Sequence, residues 1–183
     1  MNQLRVIVSS TRPGRIGPKV AEWVADQARS AGDWEVELLD LTELPFMDEE
    51  DMPRNGNYAK PHTQKWASQV FESDAIVIVT PQYNRSFPAP IKNAVDYLFA
   101  EWDAKPIAVV GYGWSGGLEA AADLTKVLEH VKAEVVGATG LVFTQDVTPE
   151  GEVTATAERH GELAQLLASL SSRLGDRETV SAG

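Results

Sequence analysis

The chain has 183 residues, no cysteine, and a formal charge of −11 from 16 Lys and Arg against 27 Asp and Glu. That length suits one domain that buries roughly 70% of the surface exposed by its unfolded form. The missing thiols exclude disulfides, thiolate catalysis and Cys-ligated zinc or iron–sulfur clusters. The acidity argues against nucleic acid and anionic membrane surfaces as partners. No run approaches the ~18 apolar residues of a membrane span, and the apolar stretch near the N-terminus is too short for a signal peptide, so a cytoplasmic protein is expected.

The apolar run at residues 4–8 reads as a buried strand, and Val20-Ala21-Glu22-Trp23-Val24-Ala25 opens a helix that stops near Ala31 at Gly32-Asp33. Residues 34–41 alternate before turning apolar, as in a strand nearer a sheet edge. Residues 42–61 show no period. Pro45, Pro53, Pro61 and Asn55-Gly56-Asn57 mark a long connection, and its acid run Asp48-Glu49-Glu50-Asp51 reads as a solvated loop in preference to a metal site. A helix is expected over 63–72. The β-branched run Ala75-Ile76-Val77-Ile78-Val79-Thr80 then belongs in the middle of a parallel sheet. Helical spacing returns over 91–102, a fourth strand covers 106–111, a fourth helix 116–131, a fifth strand 134–143 and a fifth helix 155–174. Residues 175–183 read as a flexible polar tail.

Strands alternating with helices, without repeat or linker, describe one doubly wound α/β domain over 1–174. Right-handed crossovers gather the strand C-terminal ends on one side, where ligands bind. In strand order 2-1-3-4-5 the first and third strands are neighbours at the switch point, so the loops 9–19 and 81–90 face one crevice, with a third loop at 111–117.

The first loop, Ser9-Ser10-Thr11-Arg12-Pro13-Gly14-Arg15-Ile16-Gly17-Pro18-Lys19, ends at a helix N-terminus, where unpaired amides and the dipole favour an anion. Ser9, Ser10 and Thr11 add hydroxyls, Arg12, Arg15 and Lys19 add charge, and Gly14 and Gly17 allow close backbone approach. The second loop offers the ring of Tyr83 against a planar ligand and Asn84 for a heterocycle's edge, stiffened by Pro81 and Pro88. The third contributes Tyr112 and Trp114 among glycines. A phosphate site at one end and a flat heteroaromatic site at the other match a mononucleotide cofactor, FMN best of all.

The blocks from Ser9 to Gly17, Thr80-Pro81-Gln82-Tyr83-Asn84, Pro90-Ile91-Lys92-Asn93-Ala94-Val95-Asp96-Tyr97 and Gly116-Gly117 together resemble the NAD(P)H-dependent FMN reductase family, which includes flavin, quinone, azo-dye and chromate reductases. The resemblance spans residues 4–174. It implies a flavodoxin-like fold, with Ser10, Arg12, Arg15, Ile16 and Gly17 at the FMN phosphate. Pro81, Gln82, Tyr83 and Asn84, with Gly111, Ser115 and Gly116 of the third loop, would line the isoalloxazine. The chain departs from the family pattern at Ser9, Gln82 and Gly17. The implied reaction passes hydride from NADPH or NADH to bound FMN and on to a flavin, quinone or similar small acceptor in a ping-pong cycle, with no catalytic acid or base and no metal. The resemblance also implies a homodimer or homotetramer, which fits the wide apolar face of Ile91, Val95, Leu98, Phe99 and Trp102.

Two other classes stay open. Gly113-Trp114-Ser115-Gly116-Gly117 satisfies G-x-S-x-G between a strand and a helix, with Asp146 and His160 following in hydrolase order, so Ser115 is a candidate nucleophile. A non-enzymatic flavodoxin-like electron carrier or flavin sensor is the other. The dinucleotide fingerprint Gly111-x-Gly113-x-x-Gly116 lacks the acidic residue expected at the end of the next strand.

Overall fold

The computed structural model describes residues 1–181. Five parallel strands, β1 (Asn2–Val8), β2 (Trp34–Asp40), β3 (Ala75–Pro81), β4 (Pro106–Gly113) and β5 (Glu134–Val142), form a sheet in the order β2-β1-β3-β4-β5. The intervening helices are α1 (Gly17–Ala31), α2 (Pro61–Phe71), α3 (Ala89–Asp96), α4 (Leu118–His130) and α5 (Ala157–Ser181). Among the described residues no helix is long and apolar enough to cross a membrane.

Side chains of successive strand residues point to opposite faces, and this divides the core in two. Ile7, Ile76, Ile78, Ile107 and Val109 pack under α2, α3 and α4. Val6, Val8, Val77, Val79, Ala108 and Val110 pack under α1 and α5. Every residue of β3 and β4 is buried, which is why their sequences are continuously apolar; each fully buried Val or Ile adds about 1.5–3 kcal/mol. β2 lies at the edge and is partly exposed, as its alternation predicts. Helix α1 buries Val20, Ala21, Val24, Ala25 and Ala28, one stripe at helical spacing, and Gly32 ends it at φ 87° with its amide on the Arg29 carbonyl.

Two helices differ from the expected boundaries. The helix read over 91–102 stops at Asp96, because the amide of Leu98 and the indole Nε1 of Trp102 (3.1 Å) both take the Val95 carbonyl; a short 3-10 turn, Ala100–Trp102, follows. This fold-back buries Ile91, Val95, Leu98 and Trp102 within one chain, so their wide face no longer argues for association. At the other end, α5 continues past Leu174 to Ser181, where a polar tail was expected. A lone Gly175 costs a helix only ~1 kcal/mol and no proline follows it. The last two residues of that expected tail lie outside the described residues.

The connection between β2 and α2 is braced by its acid run, which sequence alone made a solvated loop. Asp48 bonds His62 Nε2 (2.8 Å) and Glu49 takes the amides of Ala59 and Lys60 (3.1 and 2.8 Å). Asp51 takes Asn55, Asn57 and its neighbour's amide at Met52. Asn93 of α3 clamps the Pro45 carbonyl and the Met47 amide. Among the described residues no group of three His, Asp or Glu side chains could hold a metal ion.

Candidate functional site

At the C-terminal edge of the sheet, over the β1/β3 switch point, lies a cleft of about 620 Å³. Arg12, Arg15 and Ile16 line it from the first loop, Pro81, Gln82, Tyr83 and Asn84 from the second, and Tyr112, Gly113 and Trp114 from the third. Phe143 and Pro149 come from a fourth loop, between β5 and α5, that sequence reading passed over.

The first loop turns into α1 with no side-chain cap at Ile16. The amides of Ser10, Thr11, Arg12, Ile16 and Gly17 have no acceptor within the described chain, which leaves a run of donors beside the helix N-terminus. Arg12 is exposed and without a partner among the described residues. Arg15 is held by the Asp40 carboxylate at the end of β2, while its Nε is buried without a partner. Lys19 is removed from the anion role assigned to it: its Nζ bonds the Glu150 carbonyl (2.6 Å) and ties the fourth loop to α1.

Ser10 lies fully buried behind the cleft, its hydroxyl 2.7 Å from that of Tyr83, so it joins the first loop to the second. Thr11 faces away, into a separate hollow with Leu41, Phe46 and Asn93. Gly17 is buried below Tyr112; a Cβ there would sit 2.9 Å from the Tyr112 hydroxyl. Tyr112 itself, read as a loop aromatic, is the buried penultimate residue of β4. Burial pushes its phenol well above the ordinary range, so it stays neutral and able to donate.

The second loop is a two-residue reverse turn. Tyr83 and Ser86 exchange backbone hydrogen bonds (2.8 and 3.0 Å) around Asn84 and Arg85 at φ 50° and 71°, the left-handed pair of a type I′ turn. Asn suits that conformation and Arg does not, which points to a local constraint at Arg85. The turn leaves the Asn84 and Arg85 amides without acceptors in the described chain, and Asn84 lines the cleft. Trp114, 75% exposed, stands edge-on to Phe143 with ring centroids 5.4 Å apart and supplies an aromatic wall.

Gly111 and Gly116 do not line the cleft. Gly111 on β4 pairs with Gly140 on β5, and both lie beneath the turn of the third loop: a Cβ on Gly111 would come within 2.8 Å of the Gly116 carbonyl oxygen, and one on Gly140 within 2.3 Å. These glycines seat the turn. Ser115 is exposed and its Oγ accepts a hydrogen bond from Gln82 Nε2 (3.2 Å). No imidazole is near it. His160 bonds Gln27 on α1 and meets the Trp23 ring, while Asp146 is buried with Arg159 and the Val142 amide. The hydrolase triad is therefore not assembled.

Two buried polar atoms of cleft-lining residues, the donor Arg15 Nε and the acceptor Gln82 Oε1, have no partner. A donor at the cationic end and an acceptor among the aromatics fit a ligand with an anionic group and a heterocyclic N–H, such as FMN.

A 2-1-3-4-5 parallel sheet with a first turn of free amides and an aromatic-walled crevice at the switch point defines the flavodoxin-like class. The family model of NADPH-dependent FMN reductases matches residues 3–148, and the chain belongs to that family. It is 35% identical to an NAD(P)H-dependent FMN reductase of Schizosaccharomyces pombe over 169 residues, 90% of this chain and 84% of the relative. It is 33% identical to one from Saccharomyces cerevisiae over 179 residues, 90% and 94% of the two chains. The structure resembles a flavoenzyme NAD(P)H:(acceptor) oxidoreductase of Paracoccus denitrificans with TM-score 0.72 and 26% identity, over 94% of this chain and 99% of that one. The protein is an oxidoreductase whose cofactors are FMN and NAD(P)H.

Proposed function

We propose that the cleft holds FMN with its phosphate over the first loop and its ring system among Tyr83, Asn84, Trp114 and Phe143, and that the final acceptor is a small quinone or free flavin. The observation that carries this reading is the single crevice that joins free amides, Arg12 and Arg15 at one end to aromatic walls at the other. The two-electron chemistry, hydride in from NAD(P)H and two electrons out to the acceptor, belongs to FMN when it is bound.

The residues of this chain bind and orient. The free amides of Ser10, Thr11, Arg12, Ile16 and Gly17 and the Arg12 guanidinium would hold the phosphate, and Arg15, fixed by Asp40, would offer its Nε. Ser10 and Tyr112, both buried, back the first loop and limit water behind it. Gln82 and the free amide of Asn84, both from cleft-lining residues, would meet the polar edge of the ring. No buried acid or base is required, so protons come from water. Because the lining residues enclose one crevice, coenzyme and acceptor would reach bound FMN in turn, in a ping-pong cycle.

An aromatic acceptor suits the exposed Trp114 wall. A quinone reductase of Pseudomonas putida, 34% identical over 111 residues (57% of this chain, 56% of the relative), supports the quinone class. The test is anaerobic titration of the FMN-loaded protein with NADPH and NADH, followed by addition of benzoquinone or free FMN. Bleaching by nicotinamide and recovery by acceptor, with parallel double-reciprocal plots in turnover, is the expected result. FMN that binds but is bleached by neither nucleotide would refute it.

A further inference from the structure

Arg85 is held in a defined place by the structure, although the flavin site does not need its side chain. It occupies a left-handed conformation (φ 71°) at the tip of the second loop, where a glycine or asparagine would be unstrained. Its guanidinium is 83% exposed yet forked onto one carboxylate, Nη2 to Glu119 Oε1 (2.6 Å) and Nε to Glu119 Oε2 (3.2 Å). Glu119 also accepts from Gln82 Nε2 (3.0 Å), and Gln82 lines the cleft. The Arg85 guanidinium beside it holds the Glu119 carboxyl below the usual range, so the pair is charged at neutral pH.

In a chain of net charge −11, an exposed cation next to Asn84 and joined through Glu119 to Gln82, both of which line the cleft, stands out. The adenosine end of a nicotinamide dinucleotide must lie outside the crevice if the nicotinamide is to stack within it. A 2′-phosphate there carries up to two charges and three acceptor oxygens, and it matches the planar fork of an arginine better than a single carboxylate does. An exposed ion pair is weak enough to exchange one anion for another.

We propose that Arg85 is the coenzyme-selecting residue of this protein: it receives the 2′-phosphate of NADPH at the mouth of the cleft, and Glu119 holds the guanidinium in place until that phosphate displaces it. The proposal rests on the reductase reading and deepens it by assigning the choice between NADPH and NADH to one side chain. Glu119 is a positioning residue with two effects. It orients Arg85, and it competes with the phosphate for it.

The test uses the FMN-loaded protein, Arg85→Gln and Glu119→Gln. Isothermal titration with adenosine 2′,5′-bisphosphate and with adenosine 5′-monophosphate gives a readout independent of turnover. Arg85→Gln is expected to weaken the bisphosphate about tenfold, the scale of one lost charge-assisted contact, with the monophosphate as internal reference. Glu119→Gln, which leaves the strained turn residue in place, is expected to tighten the bisphosphate by removing its competitor. The ratio of kcat/KM for NADPH over NADH should fall in the first variant and rise in the second. Equal effects on both adenosine ligands, or a ratio unmoved by both substitutions, would overturn the assignment while bleaching of FMN by either nucleotide keeps the reductase reading. Absence of bleaching by both nucleotides in the unsubstituted protein would overturn both.

Discussion

Substituting Gly140 by alanine tests whether the glycines of the third loop hold a ligand or a turn. Gly140 sits on β5 opposite Gly111, and a Cβ there would lie 2.3 Å from the Gly116 carbonyl oxygen and 3.0 Å from its carbon. Ordinary contact begins near 3.4 Å, so the turn or the strand must retreat by about 1 Å. Both are backbone, and neither can swing aside as a side chain would. Overpacking of this kind costs about 1–3 kcal/mol, against a gain of about 0.4–1 kcal/mol from the stiffer unfolded chain. A net loss of about 1–2 kcal/mol corresponds to a drop of about 2–8 °C in Tm for a chain of this length. Gly161, exposed on α5 with nothing within 4 Å of its would-be Cβ, is the matched control. Its alanine variant should gain about 0.5–1 kcal/mol from helix propensity alone. Calorimetry on both variants, with FMN affinity from quenching of flavin fluorescence, makes the comparison. Gly140→Ala should lose stability and also bind FMN more weakly, because the displaced turn carries Gly113 and Trp114. If it melts at or above the Tm of the unsubstituted protein with FMN affinity intact, the packing argument is wrong.

Arg12→Gln should weaken FMN by about ten- to a hundredfold while leaving riboflavin nearly unaffected, since a charged hydrogen bond to the phosphate is worth about 1.5–3 kcal/mol; paired fluorescence titrations decide. Equal losses for the two flavins would place Arg12 away from the phosphate. The bracing of the connection before α2 should be pH-dependent. The hydrogen bond from His62 holds Asp48 below the ordinary carboxylate range, and those from Asn57 and Asn55 do the same for Asp51. Native carboxylates with lowered pKa bind fewer protons than unfolded ones, so their stabilisation is present above the unfolded values near 3.8 and is lost as pH falls below them. Amide protection across residues 46–60, measured relative to the intrinsic exchange rate at each pH, should fall below about pH 4 ahead of that of the sheet, as these carboxylates take up protons and release their donors; a uniform fall would contradict it. Ser115 should form no stoichiometric adduct with a fluorophosphonate, because no imidazole activates it. A full adduct detected by mass spectrometry would reopen the hydrolase class.

Much of the architecture is legible without coordinates because its signals are local. The β-branched run at residues 75–80 requires burial on both faces, hence a central parallel strand, and β3 is central. Strand–helix alternation with right-handed crossovers then puts the polar loops at one edge. Contacts between residues far apart in sequence have no such signal. The indole of Trp102 ends α3 seven residues upstream, and the periodicity over 91–102 reads as one helix because both halves share apolar spacing. The acid run lies at the surface as its sequence predicts, but its bracing role was not legible because its partners, His62, Tyr97 and the amides at 59 and 60, come from elements that only folding brings near.

The same division runs through the candidate site. By itself the sequence determined that a cation-bearing turn, a Pro-Gln-Tyr-Asn turn and a glycine-rich turn stand at strand ends, because strand and helix periods bracket each of them. Only the tertiary structure decided which side chains face the shared cleft. Thr11, Ser10, Gly17, Gly111, Ser115 and Gly116 lie at the right strand ends, yet they face elsewhere, pack beneath or seat a turn; Tyr112 and Trp114 reach the cleft as the sequence predicts, whereas Phe143 and Pro149 reach it from a loop with no motif. Orientation within a loop depends on the close packing of elements distant along the chain, as Lys19 shows by bonding Glu150 and Arg15 by bonding Asp40. Residue type announces the chemistry available; three-dimensional packing selects which groups are left free to use it.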